Sequence, residues 1–148
     1  MTRDLVLVLE DSAERVTWLR AVLAGTGLDI EVHDTVAPFV AAVSCRRDRL
    51  ALVVFDHDLG HLPPQELQDG VGLPRLANYD IDGKTGEDAA KAVGPLPCPA
   101  LVWSWNTRGR VAIGRALRDH GNRGRLAPFT SSSEYAALVA GVLSEGPR

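Results

Sequence analysis

Five short apolar stretches recur along this chain. Each is ended by polar residues, and each is followed by a segment with helical spacing. That alternation limits the possible folds more than any other feature. Leu5–Leu9 is continuous and partly β-branched, as expected of a strand covered on both faces. Leu50–Phe55 reads the same way. Residues 29–34, DIEVHD, alternate polar with apolar and predict an edge strand. Residues 100–105 predict a fourth strand and residues 125–129 a short fifth.

The intervening segments predict helices. Asp11 or Ser12 caps the first, with Val16, Leu19, Val22 and Leu23 inward and Gly25 and Gly27 ending it. Thr35 caps the second, which runs through Ala42 with Pro38 in its first turn. Thr85 and Asp88 form a capping box at the start of TGEDAAKAV. Residues 110–120 form a helix stopped by Gly121. Ser131 and Glu134 cap a last helix over 134–143, with Leu138, Val139 and Val142 inward. Five βα units in succession predict an α/β fold with a parallel sheet and helices on both faces. Right-handed crossovers and the edge character of the second strand favour a flavodoxin-like strand order, 2-1-3-4-5.

The length of 148 residues suits one domain, and 45% hydrophobic residues suffice for one core. Residues 61–84 lack periodicity and are rich in Pro and Gly, so they predict a long insertion between the third strand and the third helix. This insertion could close over the site and contribute Asp69, Asp80 or Asp82. Cys45 and Cys98 have no second cysteine at metal-binding or redox spacing, which fits a reduced, cytoplasmic protein. The first apolar run is too short for a signal peptide or a membrane span. A net charge of −3 neither requires nor excludes a nucleic-acid partner.

In a sheet of this order, ligands bind beyond the carboxyl ends of the strands. Strand one ends in Glu10 and Asp11, strand three in Asp56, His57 and Asp58, and strand four in Ser104 and Asn106. The predicted order makes these strands neighbours, so all these side chains should meet at one rim. With extended geometry, Asp56 and Asp58 share a side and His57 faces the other; Ser104 and Asn106 share a side opposite Trp103 and Trp105. Both tryptophans then pack under helices. Four carboxylates in one place repel one another unless a cation intervenes, and hard oxygen donors of this kind suit Mg²⁺ or Mn²⁺. His57 serves either as an acid or phosphate clamp, or as a packed histidine on the far face. Arg108 and Arg110 either hold an anionic substrate or lie on a solvated helix face. His33 and His120 have no partner in sequence and are expected at the surface.

These residues carry two resemblances. Glu10–Asp11, Asp56 and Ser104 resemble the phosphorylation site of response-regulator receiver domains, and the likeness spans nearly the whole chain. It implies Mg²⁺ on Glu10, Asp11 and Asp56, a phosphoryl group accepted by Asp56, and Ser104 as its sensor. Where receivers place a lysine before a proline at the end of strand five, this chain has Ala127–Pro128. The segments VFDHDLG, TGEDAA and LVWSWN are more closely similar to the cyclic-phosphate-processing receiver-like family, cREC. Trp103 stands where that family carries the histidine of an H-S-x-N segment. This second resemblance implies a metal-dependent phosphoesterase acting on cyclic or terminal phosphates of nucleotides or RNA ends. Its active-site set would be Asp56, His57, Asp58, Ser104 and Asn106, with a divalent ion on Glu10, Asp11 and Asp56. The alternative is an atypical receiver module, either phosphorylated at Asp56 or acting as a non-catalytic signalling or interaction domain.

Overall fold

Strands buried on both faces need helices above and below them, and the chain builds that arrangement. The computed structural model describes residues 2–60, 79–127 and 132–144. Its elements are β1 (Leu5–Leu9), α1 (Ala13–Leu23), β2 (Asp29–His33), α2 (Val36–Cys45), a 3-10 turn at Arg47–Arg49, and β3 (Leu50–Phe55). There follow α3 (Gly86–Val93), β4 (Ala100–Trp103), α4 (Thr107–Asp119), β5 (Gly124–Ala127) and α5 (Ser132–Ser144). All four strand pairings are parallel, and the order is β2-β1-β3-β4-β5. This is the flavodoxin-like topology expected from the alternation, with β2 at the rim.

The pleat divides the core in two. Leu5, Leu7 and Leu9 of β1 and Val53 and Phe55 of β3 face α2, α3 and α4, where Phe39 meets Phe55 edge-on at 5.3 Å between ring centroids. Val6 and Val8 of β1 and Leu52 and Val54 of β3 face the other way, toward Leu19 and Leu23 of α1 and Val139 and Val142 of α5. The β1–β3 register shifts between Leu5 and Val6, where Leu5 pairs with Leu50 and Val6 with Leu52. The shift absorbs Ala51 and keeps Leu50 on the α2 side. Among the described residues, no helix is long and apolar enough to cross a membrane.

Several boundaries differ from the sequence reading, and each difference bears on the site. β4 ends at Trp103, two residues early, and α4 starts at Thr107, three residues early. Ser104, Trp105 and Asn106 therefore form a tight junction and not a strand end. Trp103 is buried as expected, but Trp105 is 64% exposed and does not pack beneath a helix. Thr35 makes no side-chain cap bond to α2; its hydroxyl donates instead to Asp34 Oδ1 at 3.1 Å. The first N–H of α2, at Val36, donates to Asp80 Oδ2 at 2.8 Å. Asp80 Oδ1 accepts the Asp82 and Lys84 N–H groups, both at 2.9 Å. Asp80 is buried in this role, so it braces the approach to α3 and is not presented to a ligand. Asp88 accepts the Thr85 N–H at 2.9 Å, as the capping box requires. His61 and Asp69 of the predicted insertion, and Ser131 of the last predicted capping box, lie outside the described residues.

Asp80 satisfies three backbone donors from two parts of the chain, so its loss removes a cap and a turn together. Asp80→Ala is expected to lower the unfolding free energy by about 1–2 kcal/mol, with Asp80→Asn retaining part of it. Urea denaturation of the three proteins checks this, and an unchanged midpoint for Asp80→Ala would refute it.

Candidate functional site

The central strands deliver their polar ends to one rim, but the pleat sorts them onto two sides. Leu9 and Phe55 face α2, α3 and α4, so the next residues, Glu10 and Asp56, turn toward α1. The backbone still holds strand geometry there, with Glu10 N–H donating to His33 O at 2.9 Å and Asp56 N–H to Leu9 O at 3.0 Å. Glu10 and Asp56 are both buried. With Asp11 they form a cluster in which one ligand atom from each lies within 4.8 Å of the others. The three acids expected to meet therefore do meet.

Between them lies a residue that the sequence reading did not single out. Arg15 Nη2 is 2.8 Å from Glu10 Oε1, 2.7 Å from Asp56 Oδ2 and 3.9 Å from Asp11 Oδ1. Its Cζ lies 6.0 Å from the centroid of the Trp103 ring, so the guanidinium has a buried aromatic side chain beside it. Glu10 Oε1 also accepts the Asp11 and Ser12 N–H groups, each at 3.0 Å, which fixes the chain as it turns into α1. Burial pushes both Glu10 and Asp56 above the usual carboxylate range, more strongly for Glu10, where the Asp56 charge adds to it. The Arg15 guanidinium opposes the rise in both. Burial also disfavours the Arg15 charge, but Asp56 and Glu10 outweigh it and hold the group firmly protonated.

Three carboxylates are suitable donors for a hard divalent ion. Asp56 Oδ1 strengthens that likeness, because it is buried and finds no hydrogen-bond partner among the described residues. The space between Glu10 and Asp56, however, is held by Arg15. Arg15 engages one oxygen of each buried acid, Glu10 Oε1 and Asp56 Oδ2, and leaves Asp56 Oδ1 outside that contact.

The other side of the rim carries a separate cluster. His57 Nδ1 and Asp58 Oδ1 are 2.7 Å apart, and Asn106 Nδ2 donates to the same Asp58 oxygen at 3.0 Å. β3 stops at Phe55, and the turn brings Asp58 onto His57 and Asn106 while its charge still acts on Asp56 and Arg15. Burial raises the Asp58 carboxyl, but hydrogen bonds from His57 and Asn106 outweigh this and hold it below its ordinary range. Asn106 is the N-cap of α4, its Oδ1 accepting the Gly109 N–H at 2.8 Å. Ser104 is buried, and its Oγ accepts the Asn106 N–H at 3.2 Å. Arg110 Nη1 donates to the Ser104 carbonyl at 2.7 Å, which ties it to the junction, whereas Arg108 is exposed on the outer face of α4 beside Val111 and Arg115.

Two glycines permit this packing. A Cβ on Gly86 would strike the Asp56 carbonyl oxygen, and Gly86 N–H donates to His57 O at 3.1 Å. A Cβ on Gly109 would overlap the His57 ring. Of the two histidines expected at the surface, His33 ends β2 at this rim, with its carbonyl accepting the Glu10 N–H, and His120 follows α4. His33 pairs with Glu31 at 2.9 Å and His120 with the Lys91 carbonyl at 3.0 Å.

One sequence signal did point to Arg15. It sits in the first turn of α1, where the helix dipole disfavours a cation, and it follows the acidic pair by one helical turn. A basic residue in that place requires acids to hold it.

No protein-family model and no curated protein sequence matches the chain. Solved structures do resemble it. A CheY-like response-regulator receiver domain from Methanospirillum hungatei covers 96% of this chain and 94% of its own, with 11% identity and a TM-score of 0.62. The N-terminal domain of a response regulator/sensory box/GGDEF three-domain protein from Carboxydothermus hydrogenoformans covers 96% and 95%, with 18% identity and a TM-score of 0.62. A response regulator from Chloroflexus aurantiacus covers 95% and 98%, with 16% identity and a TM-score of 0.58. At these identities the likeness is one of fold.

Gly109→Ala should push the His57 ring away from Asp58, although alanine is the better helix former by about 1 kcal/mol. The ring ¹⁵N shifts of His57 report this directly. An unchanged His57 tautomer signature in Gly109→Ala would show that the α4 backbone does not hold the ring.

Proposed function

We propose that the chain works as an atypical receiver-like signalling or interaction module that does not take up a phosphoryl group on Asp56. The observation that carries this reading is the state of Asp56, which is 1% exposed with Oδ2 engaged by Arg15 at 2.7 Å. An acceptor carboxylate needs an oxygen open to in-line attack, and here neither oxygen is open. The residue before the strand-five proline supports the same reading, because Ala127 cannot supply the cation with which receivers pair an acyl phosphate. Incubation with acetyl phosphate and Mg²⁺ tests it, with no mass gain expected. A gain of one phosphoryl group in the wild type, absent in Asp56→Asn, would overturn it.

One specific observation favours a second reading, that of the cREC resemblance: a phosphoesterase acting on cyclic or terminal phosphates of nucleotides or RNA ends. It is the His57–Asp58–Asn106 cluster. If the proton lies on Nδ1 and points at Asp58, Nε2 becomes the basic nitrogen, as proton transfer to or from a phosphate ester requires. The Nδ1–Asp58 bond would then orient the ring, and Asn106 would steady the carboxylate. In this reading Glu10, Asp11 and Asp56 would hold Mg²⁺ or Mn²⁺, whose chemistry when bound is to neutralise charge on phosphoryl oxygens. Release of monophosphate from a 2′,3′-cyclic nucleotide, falling about 10²–10⁴-fold in His57→Gln, would favour this reading over the first. No turnover across the four cyclic nucleotides with either metal would remove it.

A further inference from the structure

We infer that Arg15 is the resident cation of the acidic pocket, standing between the carboxylates that a divalent ion would need, and that it supplies this pocket's positive charge without metal. The inference rests on three observations that do not depend on one another. The first is position. A single nitrogen, Nη2, lies within hydrogen-bond distance of carboxylate oxygens from two adjacent central strands, and Asp11 lies just beyond. These are the same three residues whose donor atoms converge closely enough to hold an ion. A metal cannot stand between Glu10 Oε1 and Asp56 Oδ2 while this guanidinium is there.

The second is enclosure. The Arg15 side chain is 13% exposed and lies beside the buried Trp103 ring. Aromatic faces favour a guanidinium, which is planar and weakly hydrated, over a compact and strongly hydrated cation. The third is placement in the helix. Arg15 occupies the first turn of α1, with its own N–H donating to the Ser12 cap at 3.3 Å. A cation there opposes the helix dipole. Neither helix formation nor solubility accounts for it, whereas two buried carboxylates across the turn do.

The competing view is that Arg15 swings aside whenever an ion arrives. That exchange would require two buried ion-pair contacts and the aromatic contact to break first. Leaving buried charges without their partner is among the most costly changes a fold can undergo. The expected penalty on metal affinity is roughly 100-fold or more, relative to the same pocket without the arginine. This inference deepens the signalling reading above and rests on it for the role of the pocket. Metal binding without phosphoryl uptake would sink the inference and leave that reading standing.

The test is Mn²⁺ binding to the full chain, followed by the free-ion EPR signal, together with thermal unfolding with and without Mn²⁺ or Mg²⁺. The wild type should take up no Mn²⁺ at the pocket, and its melting temperature should be unmoved by either ion. Arg15→Ala should melt lower in the absence of metal. Added Mn²⁺ should restore its melting temperature, with an affinity roughly 100-fold above the wild type's. Arg15→Ala combined with Asp56→Asn should lose that rescue. Wild-type uptake of one Mn²⁺ as tight as that of Arg15→Ala, and abolished by Asp56→Asn, would overturn the inference. If Arg15→Ala does not fold even with metal, the wild-type titration decides alone. Mn²⁺ uptake abolished by Asp56→Asn would refute the assignment, and no uptake would sustain it.

Discussion

Two carboxyl groups at the ends of adjacent central strands leave water together only if a positive charge comes between them or one keeps its proton, and burial raises both Glu10 and Asp56. Glu10 and Asp56 are in that position because β1 and, apart from Ala51, β3 are buried and their next residues continue the pleat toward α1. The rest of the rim follows from how that charge is supplied. Arg15 reaches it from the first turn of α1, so the turn between β1 and α1 has to hold the helix start at a fixed place. Glu10 does this too, because the oxygen that meets Arg15 also accepts the Asp11 and Ser12 N–H groups. One carboxylate thus anchors the helix start and receives the cation that the helix carries.

The same pleat separates this pocket from the second cluster. Asp56 turns toward α1, so His57 turns toward α3 and α4, and their backbones have to come close to the β3 end. They do so at Gly86 and Gly109, where a side chain would meet the Asp56 carbonyl and the His57 ring. This close approach brings Asn106 to Asp58, and it depends on α4 beginning directly after the Ser104–Asn106 junction. The rim therefore holds two groups of side chains at one strand end, with the Asp58 charge acting on Asp56 and Arg15 acting on Asp58. One is a buried, charge-compensated pocket, and the other is a partly exposed histidine–carboxylate pair.

Much of the fold was legible in the sequence because it depends on period. Continuous apolar runs, helical spacing and a polar-alternating second stretch are long-range averages that single residues do not upset. The convergence of Glu10, Asp11 and Asp56 followed from strand order alone. What could not be read was decided by individual side chains competing for backbone groups. Asn106 ends up as a helix cap, which starts α4 early and withdraws Trp105 from the sheet. Thr35 looked like the cap of α2, but the third position of that helix is Pro38, which has no N–H to donate, and the Val36 N–H goes to Asp80. The side expected for Asp58 assumed that extended geometry continued beyond Phe55, and a turn intervened. Arg15 was overlooked because arginine is common in this chain: all but two of its 16 basic residues are arginine, which lowers the information in any one of them.

A tethered cation and a bound ion neutralise the same acids in different ways. A divalent ion exchanges with solvent, so its occupancy follows its concentration, and its open coordination positions can accept a phosphoryl oxygen. A guanidinium fixed to a helix is always present at high effective concentration and offers donors already directed at Glu10 and Asp56. In such a pocket Asp56 Oδ2 is already engaged, and Asp56 Oδ1 is the buried oxygen left without a partner among the described residues. The other polar group of the rim is more open. There His57, Asp58 and Asn106 are partly exposed, and Arg110 connects the Ser104 carbonyl to the first turns of α4.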